Sequence, residues 1–297
     1  MADHTNYAIS CCASCDLSEK YLTDRNIEYV YFNYFLDEVP CKDDFGKTNS
    51  PTQLYSKMLA GSNVKTSQVS VGEYVEHFRR ILSQGKDVLH ICLAGALSGT
   101  YNSALDARTY LQREFPERDI AIVDSCSGSV GYGMVVAKCA DLRDEGYSLD
   151  KVLDWLNANK WNQQTWLYVS DLTFLVKGGR VSKAAGIIGG MLKICPTLRL
   201  DINGGIVTME KVRTKKRAIK YVVDRMADHV EDPDYDGDVF IAHAECFEDA
   251  QTVAKEIESR FPKTAGRIHI FDIGATIGVH LGPGSVVLSF WGDRKTA

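Results

Sequence analysis

The stretch DVLHICLAGALSGTYNSA, residues Asp87–Ala104, decides the fold of this chain. It opens with an apolar run whose length and composition are typical of a buried strand. It then passes through the small-residue turn Ala94–Thr100 and continues as a helical segment from Tyr101 to Phe115. A strand that feeds a helix through a glycine-rich turn points the unpaired N–H groups of the helix start at the sheet edge. In open α/β sheets, that edge is where ligands bind.

The turn also carries two hydroxyl groups, on Ser98 and Thr100. Both can donate a hydrogen bond to an anion without burying a second full charge. A plainer interpretation stays open, in which Ser98 or Thr100 only caps the helix and the glycines only permit the turn. This stretch alone does not distinguish ligand binding from helix capping.

Length and charge limit the classes of protein to which the chain can belong. Its 297 residues are enough for one large domain or for two domains with separate cores. A net charge of −5 argues against general affinity for nucleic acid or for an anionic membrane surface. The start MADHTNYAIS lacks the features of a signal peptide, and no apolar stretch approaches the length of a membrane span. We therefore expect a cytoplasmic protein without membrane insertion.

Three of the nine cysteines, Cys11, Cys12 and Cys15, have a spacing that resembles a metal site. No matching His/Cys pair follows at the distance expected for a zinc finger, and other cysteines lie inside apolar segments. Cysteine in such segments usually acts as a small hydrophobic residue. We therefore predict that this cluster belongs to the core and that the chain holds no metal.

Strands alternate with helices of ten to fifteen residues, a pattern typical of βαβ units. We predict an α/β fold of two α/β domains, residues 1–160 and residues 161–297, with a ligand cleft between them. The first domain is predicted to have a mainly parallel sheet. The boundary is placed near Trp155–Gln164, where a helix runs into polar sequence.

Four segments receive specific structural predictions. Ile27–Phe35 is predicted to be one strand, and Gly61–Ser70 a connection. Leu198–Val207 is a predicted hairpin because Asn203-Gly204 stands at its centre. The segment after Ile273 is predicted to be a glycine-punctuated loop that carries His280 and ends in a strand.

Familiar catalytic patterns are missing from the sequence. It contains no GxxxxGK[ST], GxSxG or HExxH, and the glycine cluster Gly128–Gly133 has the wrong order for a dinucleotide site. No paired acid and base, and no nucleophile beside a base, stands out. We therefore predict a protein without catalysis of its own. The alternative is a hydrolase or transferase for an acyl or phosphorylated small molecule, with Ser98 as nucleophile and His280 as base.

Three polar residues in turns are candidates for binding a ligand, and each has a plainer alternative. Thr66 precedes a helix and could be its N-cap. Arg180 follows two glycines and could form a structural ion pair with Asp124 or Asp171. His280 precedes a rigid Gly-Pro-Gly turn that would fix its imidazole at a cleft, or it could be a solvated loop histidine.

Five short motifs together resemble the DegV family of bacterial fatty-acid-binding proteins. They occur in family order over nearly the whole chain: TSQ (Thr66–Gln68), LSGTYNSA (Leu97–Ala104), VDS (Val123–Ser125), FLVKGGRVS (Phe174–Ser182) and HLGPG (His280–Gly284). Each motif alone is weakly specific, whereas the set is highly specific. The family includes the carrier subunits of fatty acid kinase.

The resemblance implies a long-chain fatty acid, such as palmitate, enclosed between two α/β domains, with no cofactor. Thr66 and Ser98 match the residues that bind the carboxylate, His280 matches the histidine near the head group, and Arg180 matches the arginine of the GGR motif. Carried over from the same motifs, the predicted ligand-binding set consists of Thr66, Ser98, Gly99, Thr100, Ser125, Arg180 and His280. The resemblance also implies that a separate kinase subunit acts on the presented carboxylate to form the acyl phosphate.

The chain departs from the family pattern at the head-group end. Cys12-Ala13 stand in place of Asp-Ser, Ala94-Gly95 in place of Ser-Ser, Val69 in place of a proline and Cys195 in place of a lysine. Fewer hydroxyl groups are therefore expected there. The Gly/Ala-rich segment Ala184–Met191 suits either a tunnel wall or a closely packed helix, and both interpretations stay open.

Overall fold

Strands and helices alternate along the chain, which confirms the predicted α/β class. The structure, a computed structural model, describes residues 6–182, 194–230 and 232–297. The strands are β1 (Tyr7–Cys12), β2 (Ile27–Val30), β3 (Asn33–Leu36), β4 (Val39–Lys42), β5 (Val64–Ser67), β6 (Asp87–Cys92), β7 (Ile120–Asp124), β8 (Gln163–Tyr168), β9 (Ile194–Leu200), β10 (Ile206–Arg213), β11 (Val239–His243), β12 (Ile268–Asp272) and β13 (Val286–Trp291). The α-helices of the described residues are α1 (Glu19–Asp24), α2 (Pro51–Leu59), α3 (Val71–Leu82), α4 (Thr100–Glu114), α5 (Ser129–Asp144), α6 (Leu149–Asn159), α7 (Thr173–Lys177), α8 (Lys215–His229), α9 (Phe247–Arg260) and α10 (Ala275–Leu281).

The central stretch folds as predicted. All six residues of β6 are buried, and β6 lies inside a four-stranded sheet of order β2-β1-β6-β7 whose strands are all parallel. The loop Leu93–Gly99 leads from β6 into α4. This loop leaves the sheet at the carboxyl end of β6, the position at which parallel α/β sheets bind ligands.

The second sheet has six strands in the order β10-β9-β8-β13-β11-β12. Only β11 and β12 pair in parallel, and the other neighbours are antiparallel. The predicted hairpin is confirmed: β9 and β10 pair around a turn in which Gly204 has a φ of +78°. The Asp201 carboxylate accepts hydrogen bonds from the N–H groups of Asn203 and Gly205. It thereby fixes the turn.

The largest core joins the parallel sheet to one face of the second sheet. Helix α5 packs against β13 and β8, and its buried face includes Val130 and Tyr132. From the second sheet, Leu167, Phe240 and Val287 enter the same core. The opposite face of the second sheet forms a separate core with α8 and α9.

The prediction of a single strand over Ile27–Phe35 is wrong. The segment forms β2, which pairs with β1, and β3, which belongs to a third sheet of order β4-β3-β5. Tyr29 on β2 packs edge-on against Phe45, whereas Tyr34 on β3 is buried in the core. Both strands are rich in aromatic residues, so their composition did not reveal the break between them.

The interpretation of Gly61–Ser70 as a connection is also wrong in part. Val64–Ser67 is β5, and Thr66 pairs with Tyr34 across the third sheet. Thr66 is not the N-cap of the following helix, because Ser70 holds that position and accepts a hydrogen bond from the Glu73 N–H. Thr66 therefore stands on a strand.

His280 lies on a helix rather than in the predicted loop. Helix α10 spans Ala275–Leu281, with Gly274 as its N-cap and Gly282, at a φ of +76°, as its C-cap. Gly278 lies inside the helix, where a Cβ would collide with the hydroxyl of Tyr55. The glycines that suggested a loop thus serve the two helix ends and one close contact.

Candidate ligand-binding site

A cavity of about 350 Å³ lies where the three sheets meet. Residues that belong to, or directly follow, strands of all three sheets contribute to its wall, together with α10. Most of the wall is apolar, formed by Phe32, Leu93, Leu97, Leu167, Leu175, Leu200, Ile206, Ile277, Leu281 and Val287. A volume above about 300 Å³ with mostly apolar lining is typical of small-molecule sites.

Five of the seven predicted ligand-binding residues line this cavity: Thr66, Ser98, Gly99, Arg180 and His280. Thr66 comes from β5, Ser98 and Gly99 from the loop before α4, Arg180 follows α7, and His280 lies on α10. The fold thus brings to one wall residues that are far apart in the sequence. These polar residues form what we call the head-group end.

A hydrogen bond of 2.8 Å joins Thr66 Oγ1 to His280 Nε2. Burial lowers the pKa of His280 to about 4, and the nearby Arg180 charge acts in the same direction. The imidazole is therefore neutral at pH 7. Its Nδ1 atom is buried and has no hydrogen-bond partner in the described part of the chain.

Arg180 lines the cavity, and its guanidinium bonds to backbone oxygens. Its Nε donates to the Leu97 carbonyl at 3.1 Å and its Nη1 to the Gly178 carbonyl at 2.6 Å. Asp124 and Asp171, the alternative partners, instead accept hydrogen bonds from backbone N–H groups. Burial lowers the pKa of the Arg180 guanidinium. A half-buried cation beside a cavity favours an anionic ligand.

Ser98 both supports the helix start and faces the cavity. Its Oγ accepts a hydrogen bond of 3.2 Å from the Thr100 N–H, the first residue of α4. Among the described residues its hydroxyl proton reaches no other acceptor, so it can be donated to a ligand. The N-cap of α4 is Gly99, so neither Ser98 nor Thr100 is the cap, and the Ser98 hydroxyl supports the first N–H of the helix while it can also bind a ligand.

Ser98 and His280, the nucleophile and base of the hydrolase or transferase alternative, do not form a hydrogen bond with each other. Hydrolysis or transfer through Ser98 needs a hydrogen bond from its hydroxyl to a base. His280 Nε2 is instead engaged by Thr66, and Ser98 Oγ by the Thr100 N–H. The two groups of the hydrolase or transferase alternative thus bond to other partners and not to each other.

Thr100 and Ser125 do not line the cavity. The Thr100 hydroxyl is fully buried and bonds to the Tyr74 hydroxyl at 2.9 Å. The Ser125 hydroxyl donates to the Ser127 carbonyl and accepts from its N–H. Both hydroxyls bond to other parts of the protein and stabilise the loops next to the cavity, so neither residue belongs to the head-group end.

A buried network beneath the loop contains one of the departures from the family pattern. The Tyr74 hydroxyl lies 2.9 Å from Thr100 Oγ1 and 3.1 Å from the Cys12 thiol. Burial raises the pKa values of Tyr74 and Cys12, so both stay protonated at neutral pH. Cys12 thus contacts the group that holds the start of α4.

Two further residues at this end were not predicted from the sequence. Gln68 lines the cavity, donates to Ser103 Oγ at 2.8 Å and lies so close to Gly99 that a Cβ there would collide with it. Gly178 lies directly against His280. Both residues stand inside the TSQ and GGR motifs, which could have indicated them.

A second cavity, of about 410 Å³, lies behind the head-group end. Thr66, Arg180 and His280 line both cavities, so they form the wall between them. Lys65 and Lys177 also line the second cavity, which we call the outer cavity, and no carboxylate belongs to its described lining. Lys65 forms an ion pair with Glu38 at 3.5 Å, so Lys177 and Arg180 are what make the outer cavity positively charged.

The described residues contain neither a cluster suited to a metal ion nor a helix suited to crossing a membrane. No group of three or more His, Cys, Asp or Glu side chains in these residues is arranged to hold a metal ion. Cys11, Cys12 and Cys15 are buried in the core, with the thiols of Cys11 and Cys15 3.9 Å apart. In the same part of the chain, no helix combines the length and apolarity needed to cross a bilayer. Ala184–Met191 lies outside the described residues.

The fold and cavity define a mixed α/β protein with a mostly apolar cavity. The chain belongs to the DegV family, whose family model, described as an uncharacterised protein family, matches residues 8–292. A DegV domain-containing protein of Clostridium perfringens is 33% identical over 95% of this chain and 96% of its own length. The predicted family resemblance is thereby confirmed.

Solved structures of the family share the fold. A DegV family protein from Ruminococcus gnavus with vaccenic acid has a TM-score of 0.86 at 25% identity and covers 97% of this chain and all of its own. The Streptococcus pneumoniae Fatty Acid Kinase B3 protein, loaded with linoleic acid, has a TM-score of 0.85 at 21% identity, with coverage of 97% and 100%.

Proposed function

We propose that the chain binds a long-chain fatty acid, with the carboxylate at the head-group end and the tail along the apolar wall. The observation that carries the proposal is that Thr66, Ser98, Arg180 and His280 stand together on the wall of one apolar cavity. We also propose that the chain has no catalytic activity of its own and uses no cofactor. The division into residues 1–160 and 161–297 remains part of the proposal.

The head-group end offers a carboxylate the donors that it needs. An unpaired carboxylate in an apolar cavity is costly, whereas each charge-assisted hydrogen bond contributes about 1.5–3 kcal/mol. The Ser98 hydroxyl and the Arg180 guanidinium can supply such bonds. When the neutral His280 donates its Nε2–H to Thr66 Oγ1, the Thr66 hydroxyl keeps its own proton and can donate it to the ligand.

The tail supplies most of the affinity. Burying a methylene contributes about 0.8 kcal/mol, so some fourteen methylenes give roughly 11 kcal/mol before the cost of ordering the ligand. The polar residues then select a carboxylate over other head groups. Fatty acids bound to family members of known structure support this assignment.

We further propose that the carboxylate is presented from the outer cavity to a separate kinase subunit, which forms the acyl phosphate. Lys65, Lys177 and Arg180 make this cavity a place for a phosphoryl group. The proposal puts the protein in the cytoplasm, where the kinase would use ATP. The relation to a Fatty Acid Kinase B3 protein supports it.

Mass spectrometry tests the ligand. Protein purified from a bacterial host and then denatured is expected to release a fatty acid of roughly fourteen to eighteen carbons. Thr66→Val and Ser98→Ala are each expected to weaken palmitate binding about tenfold, because each removes a charge-assisted hydrogen bond. Thr109→Val and Ser83→Ala, at exposed positions, are matched controls. Empty protein that also fails to bind added palmitate would refute the proposal.

The presentation step has its own test. Loaded protein is mixed with ATP and a purified fatty acid kinase catalytic subunit, and acyl phosphate is trapped with hydroxylamine. Lys65→Ala and Lys177→Ala are expected to lower the yield while palmitate affinity stays within about twofold. Both lysines line the outer cavity and not the first cavity of about 350 Å³, which we call the tail cavity. A yield unaffected by both substitutions would contradict this role.

A further inference from the structure

Two buried carboxylates stand at the start of the helix that carries His280. Asp43 Oδ1 accepts a hydrogen bond from the Ala275 N–H at 3.0 Å, and Oδ2 accepts one from the Thr276 N–H at 2.9 Å. Asp16 Oδ1 accepts one from the Gly274 N–H at 2.9 Å. The first N–H groups of α10, which have no partner inside the helix, are thus bonded by two side chains from elsewhere in the chain.

Both carboxylates are almost completely enclosed, at 4% exposure for Asp16 and 2% for Asp43. The second oxygen of Asp16 accepts a hydrogen bond of 2.6 Å from the Ser129 hydroxyl. Burial raises the pKa of each carboxyl group, and the hydrogen bonds counteract that rise. Burying two carboxylates near each other costs desolvation free energy, which their hydrogen bonds to the start of α10 offset.

The two carboxylates tie α10 to different parts of the fold. Asp16 follows β1 of the parallel sheet, and Asp43 follows β4 of the third sheet, which also carries Thr66. Gly274 approaches them so closely that a Cβ there would lie 3.1 Å from Asp43 Oδ1 and 3.2 Å from Asp16 Oδ1. The start of α10 is therefore fixed relative to both sheets.

The far end of the same helix reaches the head-group end. Helix α10 has only seven residues, so His280 lies less than two turns from the bonded N–H groups. Because so short a helix behaves as one rigid piece, a tilt at its start is passed on to His280. A hydrogen bond such as that between Thr66 and His280 weakens steeply when its geometry is lost.

We propose that Asp16 and Asp43 are positioning residues for the head-group end: they hold α10 so that His280 stays in hydrogen-bond contact with Thr66. Neither residue lines the tail cavity, so they act through the helix and not on the ligand. The effect on fatty acid affinity rests on the proposed function, whereas the effect on His280 itself does not.

Asp43→Asn tests the proposal with little change in shape. The amide places an N–H₂ group against one of the N–H groups of α10, which sets donor against donor and loses a charge-assisted bond. In the full-length, ligand-free protein with labelled histidine, the ring signals of His280 are expected to shift; a His280→Gln spectrum assigns them. Affinity for the fluorescent fatty acid cis-parinaric acid is expected to fall about tenfold.

Asp44→Asn is the matched control, because Asp44 lies next to Asp43 but bonds to Thr48. It is expected to leave the His280 signals and the affinity unchanged. A folded Asp43→Asn protein with unchanged His280 signals and an affinity within about twofold of the original would overturn the proposal.

Gly274→Ala covers the case in which Asp43→Asn does not fold. It keeps both charges and only pushes the carboxylates away from the helix by a few tenths of an ångström. We expect the His280 signals to shift in the same direction, and unchanged signals would overturn the proposal. If the unmodified protein binds no fatty acid, the proposed function fails, while the His280 signals still decide whether the carboxylates position the helix.

Discussion

Gly178 lies directly against the imidazole of His280, and a Cβ at position 178 would overlap Nδ1 of that ring. The backbone at Gly178 has a φ of −77°, which any residue adopts. The glycine is therefore required for the close approach and not for its conformational freedom. It forms one side of the slot that holds the histidine, with Thr66 on another side.

Gly178→Ala is the most direct test of that slot. The added methyl group is expected to push His280 away from Thr66 and weaken palmitate binding about tenfold, because the hydrogen bond between them is lost. Calorimetric titration measures the affinity. Gly72→Ala, at an exposed helix position with open space around it, is the control. Equal affinities of both variants for palmitate would show that the slot does not matter.

The stability of the protein should depend on pH through His280. Its pKa is lowered from 6.5 to about 4 in the folded protein, so between these values the unfolded chain binds a proton that the folded protein does not. His280 therefore costs no stability above pH 6.5, and the stability falls as the pH drops toward 4. We expect this group to remove about 2 kcal/mol between pH 7 and pH 5.

The comparison with His280→Gln isolates this contribution, since His77, His90 and His243 also have lowered pKa values. Urea unfolding of both proteins at pH 7 and pH 5 gives the free energies of unfolding. The variant should lose less stability between the two pH values than the original protein. An equal loss in both would mean that His280 is not a buried neutral histidine.

Tyr74→Phe should disturb the support beneath the loop. The substitution leaves the buried Thr100 hydroxyl and the Cys12 thiol without their common partner. We expect a loss of about 1–2 kcal/mol in the free energy of unfolding, because a buried hydroxyl without a partner keeps its desolvation cost. Tyr110→Phe, on the exposed surface, should change stability little. Unfolding curves that coincide for the two variants would show that the Tyr74 network does not stabilise the protein.

Gly128→Ala should alter the chain length that the cavity accepts. The new Cβ would stand 3.2 Å from Leu97 Cδ1 and 3.3 Å from Leu93 Cδ1, both on the cavity wall. Because the methyl group takes up space in the cavity, the bound fatty acids should shift toward shorter chains. Mass spectrometry of the released ligands measures the distribution. A profile identical to that of Gly72→Ala would refute the prediction.

Sequence reasoning was effective where a strong local signal coincided with a buried element. The apolar run before Leu93, the small-residue turn and the following helix are all present, and the Asn203-Gly204 hairpin is too. Regular periodicity and turn chemistry are properties of short windows, so one sequence is enough to reveal them.

The parts that sequence reasoning missed depend on partners distant in the chain. Helix α10 looked like a loop because of its glycines, and the carboxylates of Asp16 and Asp43, which bond its start, lie over 200 residues earlier. The break after Val30 is set by a third sheet that only forms in the folded protein. Likewise, Thr100 and Ser125 look like the other hydroxyl residues, and only the fold shows that they turn away.

The Thr66–His280 hydrogen bond joins positions 214 residues apart. During synthesis the amino-terminal part of a chain emerges and begins to fold first. In the proposed function, a nascent chain that already displays Thr66 and Ser98 therefore lacks part of the head-group end until position 280 has left the ribosome. Under the proposed function, ligand binding therefore follows the formation of α10, and a chain that ends before position 280 lacks this hydrogen bond.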